Sequence, residues 1–266
     1  MSFKDIVKAL VTNRAVPRSQ RGDQAPSHDG PLPDGASNEN PEGMGLMELI
    51  VEDLRTHDED ALAPGFWAVA VHRLGNARMD VHSKVLRAPL TVAYHAAFTG
   101  VNWLWGIDLS YTVKLGRRVR IWHHGGMVLG ARAIGDDVHI RHNTTLGLAS
   151  RHERTAKPII GNRVDIGAGA AVLGAVTVGE DAIIGANSVV MRDLPAGSTA
   201  FGVPARPVNL HANSAPPKSV APSAANDAAG GASVLPGPRR SEKDSSGDES
   251  VIRLKDRSGE SNVGSR

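Results

Sequence analysis

The sequence predicts a stacked, three-sided β-coil preceded by a small α-helical region, with polar termini. Three observations predict it: aliphatic residues recur every six positions through the middle, glycine follows many of them, and the apolar period before residue 106 is helical. Ile134, Ile140 and Leu146 stand six apart, as do Ile160, Ile166, Val172, Val178, Ile184 and Val190. Glycine follows at Gly135, Gly147, Gly161, Gly167, Gly179 and Gly185. Four positions after the aliphatic comes a small or β-branched residue: Val138, Thr144, Val164, Ala170, Val176, Ala182 and Ser188. A period of six matches neither helix nor strand. It suits a coil whose flat sides each take one hexad, with the aliphatic turned inward and three hexads to a turn. Such turns stack and share one core.

The elements follow in order. Residues 15–43 are rich in Pro, Gly, Asp and Asn with few large apolar side chains, so 1–43 is expected to be mostly disordered. Residues 44–106 form the helical region. Leu46, Leu49, Ile50 and Leu54 keep a helical period after Gly45. Pro64 is placed to open a second helix, with Phe66, Val69, Ala70, Arg73 and Leu74 on one face. A third, uncharged stretch, Ala88 to Ile107, is long enough to span a bilayer. Its Pro, His, Asn, Thr and Gly residues point instead to a helix buried between subunits. The coil domain runs over 107–208, and Leu109, Leu115 and Ile121 keep its six-step. Thirteen positions separate Ile121 from Ile134, so one residue is extra; fourteen separate Leu146 from Ile160, so eight are extra. Those eight predict an extruded loop over 147–158, and insertions in solenoids map to functional faces. From 209 to 266 the composition is that of a disordered low-complexity tail.

Lys and Arg number 30 against 28 Asp and Glu, which argues against a dedicated nucleic-acid binder despite a pI near 9.0. Cysteine is absent, so disulfides and thiolate metal sites are excluded. The N-terminal twenty residues show no apolar core followed by a small-residue cleavage site, and a cytoplasmic protein is expected.

The stretch "IWHHGGMVLG", Ile121 to Gly130, sets two histidines before two glycines. Imidazole exchanges protons near neutral pH, and glycine admits a ligand close to the backbone. A surface pair on a coil side reads equally well from these residues alone. Five of the eleven histidines lie between His123 and His152. One eighteen-residue turn plus one extra residue places His123 near His142. Two imidazoles fall short of the four ligands of structural zinc, and no metal is expected.

"HHGGMVLG", "NTTLGL", "VHRLGNA" and the long run from "KPIIGNRVDIGAGA" to "GVPARPV" resemble bacterial serine acetyltransferases, members of the hexapeptide-repeat acyltransferases. The resemblance implies a left-handed parallel β-helix and transfer of acetyl from acetyl-CoA to the hydroxyl of L-serine. It implies homotrimers or dimers of trimers, with sites between neighbouring coils. It makes His124 the general base, with backbone N–H groups near Gly125 and Gly126 for the oxyanion. His123 stands where the family carries Asp, and is expected to tune acceptor recognition. Ala156-Lys157-Pro158 stands in place of Arg-His-Pro, leaving Lys157 as a point charge for a carboxylate. Asp58 is the candidate for the substrate amine. Ala168, Gly185 and Ala186 leave room for the pantetheine arm, and Arg192 and Arg206 are candidates for its phosphates. The changed positions keep a sugar-hydroxyl acetyltransferase as the alternative, and a non-catalytic trimeric scaffold as a third class. The family's synthase partner binds a C-terminal isoleucine; this chain ends "SNVGSR", so no cysteine-synthase complex through the tail is expected.

The hexad register makes a sharp prediction. Ile166→Asp puts an unpaired charge into the core and is expected to cost about 4 kcal/mol or more. Denaturant unfolding checks this, and an unchanged midpoint would displace the register.

Overall fold

The computed structural model describes residues 26–208. Expectations for residues 1–25 and 209–266, the tail's partner binding among them, lie outside the described residues. The coil is a three-sided parallel β-helix. Its first side stacks Ile107–Asp108, Met127–Leu129, Thr145–Gly147, Ala171–Leu173 and Val189–Val190. The second stacks Lys114–Leu115, Ala133–Ile134, Ile159–Ile160 and Thr177–Val178. The third stacks Arg120–Trp122, His139–Arg141, Asp165–Ile166, Ile183–Ile184 and Thr199–Phe201, edged by antiparallel Arg206–Val208. Backbone groups pair from turn to turn, and the side chains alternate inward and outward.

Every inward aliphatic of the hexads from Ile134 to Val190 is buried, and so are the small residues four positions on. The shared core runs from Ile107 to Ala200. Thr177 sits on Ile159, eighteen residues away, whereas Ile140 sits on Ile121 at nineteen and Ile160 on Ile134 at twenty-six. The structure resolves the single extra residue into two changes. Leu129 is itself inward and fully buried, so the step from Ile121 is eight and the next step, to Ile134, is five. The corner after Ile121 therefore holds two extra residues. That widened corner is His123 to Gly126.

Helix α1 (Leu46–Thr56), α2 (Pro64–Ala77) and α3 (Lys84–Trp105) precede the coil, with a 3-10 turn at Arg78–Asp80. Glu48 accepts the Gly45 N–H at 3.3 Å, closing the start of α1. Helix α2 is the filling between α1, α3 and the coil. Its Arg73 is wholly buried: it donates to Asp53 at 3.0 and 3.4 Å, to the Leu115 carbonyl at 3.0 Å and to the Gly116 carbonyl at 2.6 Å. Of the residues expected on the inward face of α2, Phe66, Val69, Ala70 and Arg73 are buried, whereas Leu74 is about half exposed at 46% and His72 and Asn76 are buried in its stead. Helix α3 buries Tyr94 and Val101, and stops at Gly106, whose positive φ lets its N–H reach the Asn102 carbonyl at 2.8 Å. Its opposite side, with Val85, Val92, Trp103 and Leu104, is open in the single chain, so burial of the helix is one-sided. No helix among the described residues is long and apolar enough to cross a membrane.

Residues 26–43, within the segment expected to be mostly disordered, have no helix or strand but lie against the coil and α2. Arg132, 6% exposed, donates to the backbone carbonyls of Ser27, His28, Gly30 and Pro31. Asn38 and Asn40 are buried, and Asn40 donates to the Arg73 carbonyl at 2.9 Å. The Glu39 N–H meets the Asn76 side chain at 3.0 Å. The segment is a strap held by polar contacts of its backbone and of His28, Asn38 and Asn40, which a count of apolar side chains does not register.

His72 supplies a pH test. It is fully buried, its Nε2–H donates to the Val113 carbonyl at 2.8 Å, and Nδ1 has no partner. Burial, with Arg73 beside it, pushes its pKa down to about 3. The unfolded imidazole titrates near 6.5, so acid favours the unfolded chain. Stability is full above about pH 6.5 and falls as pH drops toward 3. Urea midpoints at pH 7.5 and 5 are expected to show this loss, and His72→Gln is expected to show less of it.

Candidate active site

The widened corner lies between the third and first sides. His123, Gly125 and Gly126 adopt positive φ there, at 63°, 102° and 62°. The corners below it stack in register: the Asn143 N–H meets the Gly125 carbonyl at 3.0 Å, Gly169 meets His142 at 2.9 Å, and Asn187 meets Ala168 at 2.8 Å. One edge of the coil thus carries the two histidines, then His142, Ala168 and Ala186 in successive turns. The His123 and His142 rings meet edge-on with centroids 5.6 Å apart, as the turn arithmetic implied.

Beside this edge, α1 ends against the third side. His57 caps α1, and its Nδ1–H donates to the Asp53 carbonyl at 2.7 Å. That leaves Nε2 to accept the Ile121 N–H at 3.3 Å, and burial holds the ring's pKa below its ordinary value. The tight approach of α2 to Ile121 requires Gly65, since a Cβ there would strike Ile121 and His57. The next residue, Asp58, turns with φ 59° and grips Arg120 with both carboxylate oxygens. This hydrogen bonding holds the Asp58 carboxyl below the usual range. The Arg120 guanidinium carbon in turn lies over the Trp122 ring, 3.6 Å from its centroid. His57, Asp58, Asp60, Ala63, Arg120, Ile121, Trp122 and His123 line one cleft of about 210 Å3. Its two carboxylates and one guanidinium sum to a charge of −1.

Of the expected acceptor residues, the structure brings Asp58 and His123 together in this cleft. His124 is exposed and is not among the lining residues. Lys157 lies elsewhere, at the corner between the first and second sides where the loop re-enters the coil. There it acts on Asp108, a half-buried carboxylate whose pKa burial raises and Lys157 lowers. Arg192 follows the last strand of the first side, and Arg206 lies on the antiparallel edge strand; both are exposed. Ala168 and Ala186 stand on the histidine edge. Gly185 lies under the Phe201 ring, which takes the space its missing side chain leaves. Among the described residues no three His, Cys, Asp or Glu side chains converge on a metal position. Arg120, Trp122 and Asp108 were missed from sequence. The outward pair Arg120 and Trp122, flanking inward Ile121 just before the histidines, was the available signal.

The profile described as "Bacterial transferase hexapeptide (six repeats)" matches residues 157–192. A serine acetyltransferase of Helicobacter pylori strain J99 is 41% identical over 152 residues, covering 55% of this chain and 82% of that protein. A soybean serine acetyltransferase solved in complex with serine is 34% identical with a TM-score of 0.52, over 61% of this chain and 69% of that one. A serine acetyltransferase solved in complex with CoA is 27% identical with a TM-score of 0.50, over the same 61% and 69%.

The geometry of the widened corner is testable at Gly126. A Cβ there would meet the Asn143 Oδ1 at about 2.5 Å on a backbone already at positive φ. Gly126→Ala is expected to cost about 1–3 kcal/mol in stability and to lower acetyl transfer about tenfold or more by displacing the histidines. Turnover alongside a melting curve checks both parts.

Proposed function

This chain belongs to the serine acetyltransferase family, and on that premise we propose how it moves acetyl from acetyl-CoA to the hydroxyl of L-serine. One observation carries the reading. A single edge of the coil holds the histidine corner above the small residues Ala168 and Ala186, and a cleft of net negative charge opens beside that corner. The small residues give an extended pantetheine arm a track that ends at the histidines. The charge suits the ammonium of an amino acid better than a neutral sugar ring.

The serine hydroxyl attacks the thioester carbonyl while an imidazole takes its proton. The tetrahedral oxyanion forms beside the Gly125 and Gly126 backbone, where neither N–H makes a backbone hydrogen bond among the described residues. Collapse breaks the C–S bond, and the imidazolium returns the proton to the departing CoA sulfur. We assign the base to His124, the position the family resemblance gives, with His123 beside Asp58 tuning acceptor recognition; both histidines are exposed at the widened corner. Asp58 takes the amine. Lys157 and Arg192 stand on a different corner of the same coil, which supports a site completed between copies in a homotrimer. There Lys157 of one copy meets the acceptor carboxylate, and Arg192 and Arg206 meet the phosphates of CoA. A chain without cysteine accords with the cytoplasm.

Acetyl transfer to L-serine by two alanine variants tests the base. His124→Ala is expected to lower kcat about a hundredfold or more, the range for a lost general base, and His123→Ala much less. The opposite ranking moves the role to His123. A wild-type enzyme that acetylates a sugar hydroxyl and ignores serine would replace the acceptor.

A further inference from the structure

We propose that Arg120, clamped between the Trp122 ring and the Asp58 carboxylate, is a positioning residue that orients Asp58 to receive the acceptor's ammonium group. The proposal rests on the reading that the acceptor is an amino acid. It begins from strand alternation. Arg120 and Trp122 flank inward Ile121 on one strand, so both side chains leave the outer surface of the third side. The guanidinium lies over the indole at 3.6 Å, and the indole tilts against His139 with centroids 5.8 Å apart. A guanidinium stacked on a ring held in this way has little freedom to turn.

Asp58 lacks such support from its own segment. It sits in the turn after α1, and its carboxylate is 71% exposed. Arg120 is the partner that holds it: one nitrogen meets Oδ1 at 2.9 Å and the other meets Oδ2. A bidentate grip fixes the plane of the carboxylate as well as its place. Each oxygen keeps a lone pair for a second donor. Those exposed oxygens face a cleft whose other carboxylate, Asp60, is occupied on one oxygen by the Leu62 N–H at 2.8 Å. A small ammonium at this point meets two held acceptors, with His123 on the same rim. The lowered pKa of Asp58 keeps it ionised across the working range.

The test compares L-serine with 3-hydroxypropanoate, which is serine without its amine. Arg120→Gln is expected to raise KM for L-serine about tenfold and leave kcat within about twofold, the pattern of lost acceptor binding without lost chemistry. KM for 3-hydroxypropanoate and for acetyl-CoA is expected to stay unchanged. Trp122→Leu is expected to follow in the same direction, and Trp122→Phe, which keeps an aromatic face, is expected to stay near wild type. Equal rises for both acceptors would reduce Arg120 to a structural role, and no rise for serine would overturn the proposal. Should the wild-type enzyme use neither acceptor, the serine reading fails by itself. The clamp is then read from the carboxyl chemical shift of Asp58 during an acid titration, with His57, Asp60 and His123 the titrating groups that share its cleft. The titration midpoint is expected to rise in Arg120→Gln, and an unmoved midpoint would overturn the clamp.

Discussion

The buried guanidinium of Arg73 is the interaction on which the rest of the structure depends. It joins three parts of the chain: its own helix, Asp53 on α1, and the carbonyls of Leu115 and Gly116 on the coil. Breaking a buried pair of this kind by removing one partner commonly costs about 3–5 kcal/mol, because the other charge stays behind unpaired. Here the loss would also be geometric. The end of α1 meets the coil through His57 four residues beyond Asp53, and Asp58 follows directly. If α1 slides on the coil, Asp58 leaves Arg120 and the cleft beside His123 loses its acidic wall. The helical region is thus the fixture that sets one wall of the site against the coil.

The coil was legible because its signal is local and repeated. Each inward aliphatic from Ile134 to Val190 announces the next, and neither the loop nor the corners disturb the count within a hexad. The widened histidine corner was legible only as a sum. Two extra residues before Leu129 and one fewer after it add to one, and Leu129 is as apolar as its neighbours. The pairing of Asp58 with Arg120 spans 62 residues between a polar turn and a strand, and no periodicity links them. Asp58 itself was reachable through family resemblance, whereas its partner was not. Gly185 shows a contact that composition does not announce: its missing side chain leaves space that the chain's own Phe201 ring takes.

The two adjacent histidines show how a backbone decides between like side chains. With His123 at φ 63° and Gly125 at φ 102°, the corner turns abruptly within four residues. His123 leaves it toward the α1 end and the His142 ring below, and its neighbour does not share that cleft. Chemical type named the pair, while the left-handed turn assigns the places.

The strap carries a consequence for how this chain can change over evolutionary time. Arg132 holds residues 27–31 through four main-chain carbonyls and through none of their side chains. Every residue type offers the same carbonyl, so the anchor is blind to most substitutions in the segment it grips. Selection then falls on Arg132, on the spacing of the strap and on His28, whose ring bonds the Thr177 hydroxyl at 3.1 Å, while the other letters between 27 and 31 are freer to drift. Two descendants could share the same strap in the same place and show little similarity along it.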